Sequence, residues 1–443
     1  MPARGLILAG TGTGSGKTML TAALLRALRR AGRRVAAFKT GPDYIDPAHL
    51  ARAAGVPAIN LDSWAMAPGI LHSLFGCLGR DTDVVIGEGV MGLFDGARGE
   101  PRDGSAPGST AELAQRLGLP VVLVVDASGM GQSVAAVVRG FATHDPRITV
   151  AGVVINRVAS DAHGRLLADA ISTTVAGVPV LGVVPRLAAL DVPSRHLGLF
   201  QAAEIDDLDR RFDIAADAIS ARIDLGHLEA IARTPADQDD VGPSLVPPLG
   251  QRIAVARDDA FAFAYPAVLD GWRAAGAEIL PFSPLRDEAP DARSDAVYLP
   301  GGYPELHAGR LASAETFRTG LATAAQRGAF VFGECGGYMT LGSALRDAEG
   351  RTHRMAGLLP LSCDFAERKL HLGYRDARIL VTSPLGAAGT LFAGHEFHYA
   401  RVIDEGRGDA LFAVTDTAGN RLDAAGRAHG RVAGSFIHII AQR

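Results

Sequence analysis

The chain has 443 residues, a size that predicts two or three domains, and 48% of it is hydrophobic against 21% charged, ample material for buried cores. A formal net charge of −4 leaves no basic excess to hold nucleic acid or an anionic membrane, so an acidic substrate has to be held by local groups. No run of 18 apolar residues predicts a membrane span, the N-terminus lacks signal-peptide anatomy, and three cysteines (Cys77, Cys335, Cys363) make no disulfide framework or metal motif. A cytoplasmic protein with reduced thiols is expected.

The first apolar run, Leu6–Leu8, leads into "GTGTGSGKT" (10–18) and then an amphipathic stretch in which Leu20, Leu24, Leu25 and Leu28 share one face. Strand, glycine-rich loop and helix in that order form a phosphate-binding loop: backbone N–H groups at the helix start bind phosphate oxygens. The usual spacing puts a glycine at position 11, where Thr11 stands, and Gly10 comes one residue early. Gly10, Thr11, Gly12, Thr13, Gly14, Ser15, Gly16, Lys17 and Thr18 are the candidate ATP-binding residues. Lys17 is expected to reach the β/γ-phosphates and Thr18 to ligate Mg²⁺. The plainer alternative is a glycine-rich turn without a ligand.

Further β-branched runs follow at Val35–Phe38, Val84–Ile86, Val121–Val125, Val150–Ile155 and Val180–Val184, separated by helical patterns. Near-continuous apolar strands alternating with helices predict a parallel sheet covered on both faces. Acidic loops after the second and third strands, "KTGPDYIDPAHL" (39–50) and "VVIGEGVMGLFDG" (84–96), offer Asp43, Asp46, Glu88 and Asp95 as oxygen ligands for Mg²⁺. Taken singly, each reads equally well as a turn or cap carboxylate.

Residues 233–251 are rich in Pro, Asp and Gly and read as a linker between domains at 1–232 and 252–443. A second α/β alternation runs through Ile253–Ala256, Ile279–Phe282, Ala296–Leu299 and Phe330–Phe332, and the region from about 370 is richer in strands. In "GAFVFGECGGYMTLG" (328–342) a cysteine stands between small residues where a strand meets a helix, the elbow that exposes a nucleophile. The following helix start is expected to favour the thiolate. Among 13 histidines, His438, His395 and His398 are rival bases, each equally readable as a core histidine.

The stretch from Gly10 to Thr18 resembles the longer phosphate loop of dethiobiotin synthetases, which use ATP to activate a carboxyl group. "KTGPDYIDPAHL", "NLDSWAM", "EGVMGLFDG", "GSTAELA", "VDASGMGQSVAA" and "VPSRHLGL" together resemble the cobyrinic/hydrogenobyrinic acid a,c-diamide synthase family. "LPGGYPELHAGRLA", "FGECGGYM" and the terminal "GSFIH" are similar to its class I glutamine amidotransferase domain. The resemblance implies a two-domain α/β enzyme of cobalamin biosynthesis that amidates the a and c acetates of a corrin precursor, with ATP and L-glutamine as co-substrates and Mg²⁺ as cofactor. It implies Asp46 and Glu88 as metal ligands, with Asp43 and Asp95 close behind. Cys335 is then the nucleophile, His438 its base, and Gly301, Gly302 and Gly336 belong to the oxyanion loop. Where many relatives of class I carry a Glu two residues after the histidine, this chain has Ile440, so the group that orients His438 is unassigned. Arg195 and His196, with Arg98 and Arg102, are candidates for holding corrin carboxylates; a homodimer is left open. Rival readings are an amidase for other corrin carboxylates, a nucleotide-switch ATPase carrying an inert second module, and a cysteine hydrolase with a decorative phosphate loop.

Overall fold

The computed structural model describes residues 4–100, 104–195, 198–235, 245–367 and 369–443. The chain divides into two compact units, residues 1–242 and 243–443.

In the first unit β1 (Arg4–Gly10), α1 (Lys17–Arg30), β2 (Val35–Thr40), α2 (Asp46–Ala54), β3 (Ile59–Leu61), α3 (Pro68–Leu78), β4 (Val84–Gly92), α4 (Thr110–Leu117), β5 (Val121–Asp126), α5 (Val134–Thr143), β6 (Val150–Val158), α6 (Asp161–Thr174) and β7 (Val180–Pro185) alternate along the chain. They build a seven-stranded sheet in the order β3-β2-β4-β1-β5-β6-β7, and its strand pairs are parallel. All six predicted runs lie inside strands; the three-residue β3 is an addition too short to show periodicity. Leu20, Leu24, Leu25 and Leu28 are fully buried, packed with Leu6, Leu8, Val122 and Phe212 in one core. Beyond the sheet, a two-stranded ladder of β8 (Ser194–Arg195) and β9 (Gly198–Leu199) precedes α7 (Leu208–Ser220) and α8 (Leu225–Ile231).

The second unit contains β10 (Arg252–Ala256), α9 (Pro266–Ala274), β11 (Glu278–Phe282), β12 (Ala296–Leu299), α10 (Ala308–Ser313), α11 (Glu315–Gln326), β13 (Phe330–Glu334) and α12 (Gly336–Leu341). There follow β14 (Ala344–Arg346), β15 (Thr352–Arg354), β16 (Ser362–Asp364), β17 (His371–Ile379), β18 (Leu391–His398), β19 (Arg401–Asp404), β20 (Asp409–Thr415), β21 (Ala425–His429), β22 (Val432–Ser435) and β23 (Ile437–Gln442). A ten-stranded sheet runs β11-β10-β12-β13-β22-β21-β20-β17-β18-β23. Its first five strands pair parallel, and the rest antiparallel.

The described ends of 233–251 are packed against the units. Arg233 exchanges backbone hydrogen bonds with Gly5 (2.7 and 2.9 Å). Leu245, Val246 and Leu249 are buried, and Val246 O accepts from the Trp272 indole N–H at 3.1 Å. Among the described residues no helix is long and apolar enough to cross a membrane.

Candidate active sites

In the first unit, β1 lies between β4 and β5, so the loop after it sits at the C-terminal edge of the sheet, where open α/β sheets bind ligands. The early glycine has a steric reason. A Cβ on Gly10 would stand 2.3 Å from Ser15 Oγ and 2.9 Å from Lys17 Nζ, so any side chain there would collide with the loop's own lysine. Position 11 accommodates a half-buried threonine, whose N–H closes the turn onto Val124 O at 3.3 Å. Gly12 O and Met91 O accept from Lys17 Nζ at 3.1 and 2.6 Å, and Thr13 and Gly14 are exposed. Burial lowers the Lys17 pKa to about 8, helped by the neighbouring Lys39 charge.

Thr18, Asp46 and Glu88 converge. Thr18 Oγ1 donates to Glu88 Oε1 at 2.5 Å and lies 3.3 Å from Asp46 Oδ2. Glu88 is fully buried, and burial pushes its carboxyl up to about 7 although the Lys39 charge opposes this. Its Oε2 accepts no hydrogen bond, which burial makes costly for a carboxylate oxygen. An unpaired buried oxygen beside an aspartate and a hydroxyl is a donor set suited to a hard cation such as Mg²⁺.

Asp43 and Asp95 are placed differently. Asp43 Oδ1 accepts from the Ile45 and Asp46 N–H groups at 2.7 and 2.9 Å, capping the entry to α2. Exposed Asp95 closes a turn by accepting from Gly92 N–H at 2.8 Å. The turn and cap reading fits these two carboxylates, because short acidic side chains before a helix satisfy its free N–H groups. Arg98 is exposed, Arg195 belongs to the β8–β9 ladder, and His196 and Arg102 lie outside the described residues.

Three residues of this unit were not singled out from sequence. Lys39, at the end of β2, stands beside Glu88 in parallel register, and its buried Nζ bridges Asp46 (2.6 Å) and Glu88 (2.9 Å). Burial alone would depress its pKa, but those two carboxylates hold it above the usual lysine value. Asn156 Nδ2 donates to Ser15 O (3.0 Å), and Arg157 Nη1 donates to Gly14 O (2.7 Å) and Asp126 Oδ2 (2.6 Å). Both tie down the phosphate loop from β6. A buried lysine at a strand end was a visible signal; the Asn-Arg pair had none without the sheet order.

In the second unit Cys335 follows β13 directly, with φ at +47°, a strained value for a non-glycine residue, and begins α12. Its N–H donates to Ser435 O at 2.8 Å across the β13–β22 pair. A Cβ on Gly301 would stand 2.4 Å from His438 Cε1 and 3.3 Å from Cys335 Cβ, so thiol and imidazole flank one point that only glycine leaves open. Gly302 N lies 2.9 Å from where a Cβ on Gly336 would be, which sets the oxyanion-loop candidates against the elbow.

The rival histidines have other neighbours. His395 faces His438 across the β18–β23 ladder, while His398 is engaged by Ala400 O (3.1 Å) and Glu396 (3.0 Å). Burial lowers the His438 pKa to about 3, with the His395 and His398 charges adding to it, so the ring is neutral at pH 7. The thiol differs from expectation. Burial, then the Glu305 charge, push Cys335 well above the usual thiol range, outweighing a backbone hydrogen bond from Gly336. The six-residue α12 is too short and too buried a source of positive potential to keep a resting thiolate.

Glu334, between the elbow's glycine and cysteine, is buried, and its Oε2 lies 3.9 Å from His438 Nδ1. Burial raises its pKa to about 7, against hydrogen bonds from Tyr298 and Ile439.

Residues 6–200 match the family described as the CobQ/CobB/MinD/ParA nucleotide binding domain, and residues 252–443 match the CobB/CobQ-like glutamine amidotransferase domain. A relative in Mesorhizobium japonicum named hydrogenobyrinate a,c-diamide synthase is 50% identical over 442 residues, covering 100% of this chain and 99% of its own. Relatives of the same name in Brucella suis (50% identical, 99% of this chain, 98% of theirs) and Agrobacterium fabrum (49%, 100% of each) match equally. At that identity over full length, the chain belongs to the family of hydrogenobyrinate a,c-diamide synthases, glutamine-dependent amidating ligases.

Proposed function

We propose that this enzyme amidates the a and c acetate carboxylates of hydrogenobyrinate, with ATP and L-glutamine as co-substrates, through an acyl-phosphate intermediate. The observation that carries the reading is the pairing within one chain of a phosphate loop backed by Thr18, Asp46 and Glu88 with a Cys335–His438 pair at a strained elbow. Activating a carboxylate and releasing ammonia are the two halves of amide synthesis. The full-length relatives' name favours the metal-free macrocycle.

Cys335 Sγ attacks the glutamine amide carbon while His438 takes the thiol proton and returns it to the leaving nitrogen. Ammonia departs, and water hydrolyses the γ-glutamyl thioester. Backbone N–H groups beside Gly301, Gly302 and Gly336 face the developing oxyanion. In the first unit the corrin carboxylate takes the γ-phosphoryl group, and ammonia then displaces phosphate. Lys17 and the loop amides neutralise the phosphates and hold them in line, which is most of what phosphoryl transfer requires. Thr18, Asp46 and Glu88 would hold Mg²⁺, which supplies charge neutralisation across the phosphate oxygens. Lys39, already among those carboxylates, keeps their negative charge compensated between turnovers.

The test is a panel of hydrogenobyrinate, cobyrinate and other tetrapyrroles, each incubated with enzyme, ATP, Mg²⁺ and glutamine, with amides counted by mass. Two added amides on hydrogenobyrinate are expected. More than two, or none without cobalt in the ring, would overturn the assignment.

A further inference from the structure

The residue that follows His438 by two positions is Ile440, buried and apolar, so the imidazole lacks an orienting carboxylate from its own strand. A different strand supplies one. We infer that Glu334, the residue immediately before the nucleophile, is the positioning residue that holds His438 with its proton on Nδ1 and compensates the imidazolium formed when Cys335 is deprotonated. This deepens the assignment of Cys335 and His438 as the glutaminase pair and rests on it.

The carboxylate is fixed by two hydrogen bonds. Its Oε1 accepts the Ile439 N–H at 3.1 Å, which anchors it to β23 one residue from the imidazole. Its Oε2 accepts the Tyr298 hydroxyl at 2.7 Å and lies 3.9 Å from His438 Nδ1. That gap is long for a hydrogen bond, yet catalytic hydrogen bonds are often loose before substrate binds. Leu249, Val268, Trp272 and Phe332 line a small apolar cavity against Glu334 and Tyr298, keeping the pair in a low-dielectric setting where charge compensation is strong. Another carboxylate near the pair, Glu396, is committed to Arg375 (2.9 Å) and His398 (3.0 Å).

With Nδ1–H turned to Glu334, Nε2 carries the lone pair. It accepts the Sγ proton as the S–C bond to the glutamine carbonyl forms, and returns that proton as the C–N bond breaks and ammonia leaves. Glu334 does not touch glutamine; it acts through His438.

Glu334→Gln separates this role from a merely structural one. The amide oxygen can still accept from Ile439 and the side chain still fills its site, but the charge is gone and so is the acceptor of the Tyr298 hydroxyl, a loss that Tyr298→Phe beside it reports alone. In the full-length enzyme the expected result is a fall of about 10²-fold or more in kcat for glutamine-dependent amidation, with KM for glutamine within about threefold of wild type. Ammonia-dependent amidation should be unchanged. A kcat within about threefold of wild type in the folded variant overturns the inference. ¹⁵N NMR of histidine-labelled wild type, with His438 assigned by its loss in His438→Ala, gives a readout independent of how the variant folds. A proton on Nδ1 supports the proposal and a proton on Nε2 overturns it. His438→Ala tests the underlying assignment: if that variant still uses glutamine, the glutaminase pair itself is wrong, whereas a dead His438→Ala beside an active Glu334→Gln removes only Glu334.

Discussion

Buried titratable side chains decide the chemistry of both sites, and each has a pH signature. His438 holds a folded pKa of about 3 against an ordinary 6.5, so below pH 6.5 the unfolded chain takes up a proton that the folded chain refuses. Its contribution to stability is therefore complete above pH 6.5 and is lost as pH falls toward 3. Between pH 7 and pH 5 the loss should be about 2 kcal/mol, and His438→Gln should remove it. Urea unfolding of wild type and variant at the two pH values measures this directly. Lys39 is the corresponding residue of the first unit. Removing its charge leaves Asp46 and Glu88 crowded and uncompensated, a loss worth several kcal/mol for a buried pair. Lys39→Met is thus expected to lower the melting temperature and to abolish ATP-dependent amidation, readable by calorimetry and by phosphate release. From the residues alone His438 was one of three rival histidines, chosen only through the family resemblance, and Lys39 was not singled out at all, because a lysine at a strand end acquires meaning only from what stands next to it.

Secondary-structure elements bring those groups together through register. Parallel pairing of β2 with β4 sets Lys39 against Glu88, and pairing of β1 with β4 sets Leu8 beside the same glutamate, one turn of loop from Lys17. The steep turn out of β1 works only with glycine at its first position. Gly10→Val should therefore displace Lys17 and abolish carboxylate activation, leaving glutamine hydrolysis by the second unit within about twofold of wild type. Parallel assays of phosphate and glutamate release would show both halves; loss of glutamate release in step with phosphate release would contradict the steric argument. One helix start follows the ordinary capping rule. Ser109 caps α4 by accepting from Glu112 N–H at 3.0 Å, and Ser109→Ala should cost about 1 kcal/mol in thermal unfolding.

At the scale of the whole molecule, the proposed function gives each compact unit one half of an amide synthesis, and each half should then survive without the other. Cys335→Ala is expected to abolish glutamine-dependent amidation and leave ammonia-dependent amidation intact, measured as product mass with each nitrogen source. Loss of both in a folded variant would contradict the division of labour. The sequence by itself placed ten of the strands along the chain, and the glycine-rich loop and cysteine turn that follow two of them, since hydrophobic periodicity and glycine placement are local consequences of burial and backbone geometry. Without the family resemblance it offered Asp43, Asp46, Glu88 and Asp95 alike, because a carboxylate that caps a turn and one that faces a cation look alike in one dimension; only the resemblance put Asp46 and Glu88 first. It also left the partner of His438 unnamed. The tertiary structure adds what the sequence lacks, by folding residues far apart in the chain into a buried cluster within each unit: Lys39 between Asp46 and Glu88 in the first, and Glu334 beside His438 in the second. Charge in such a place is governed by its nearest neighbours, and strand order decides which neighbours those are.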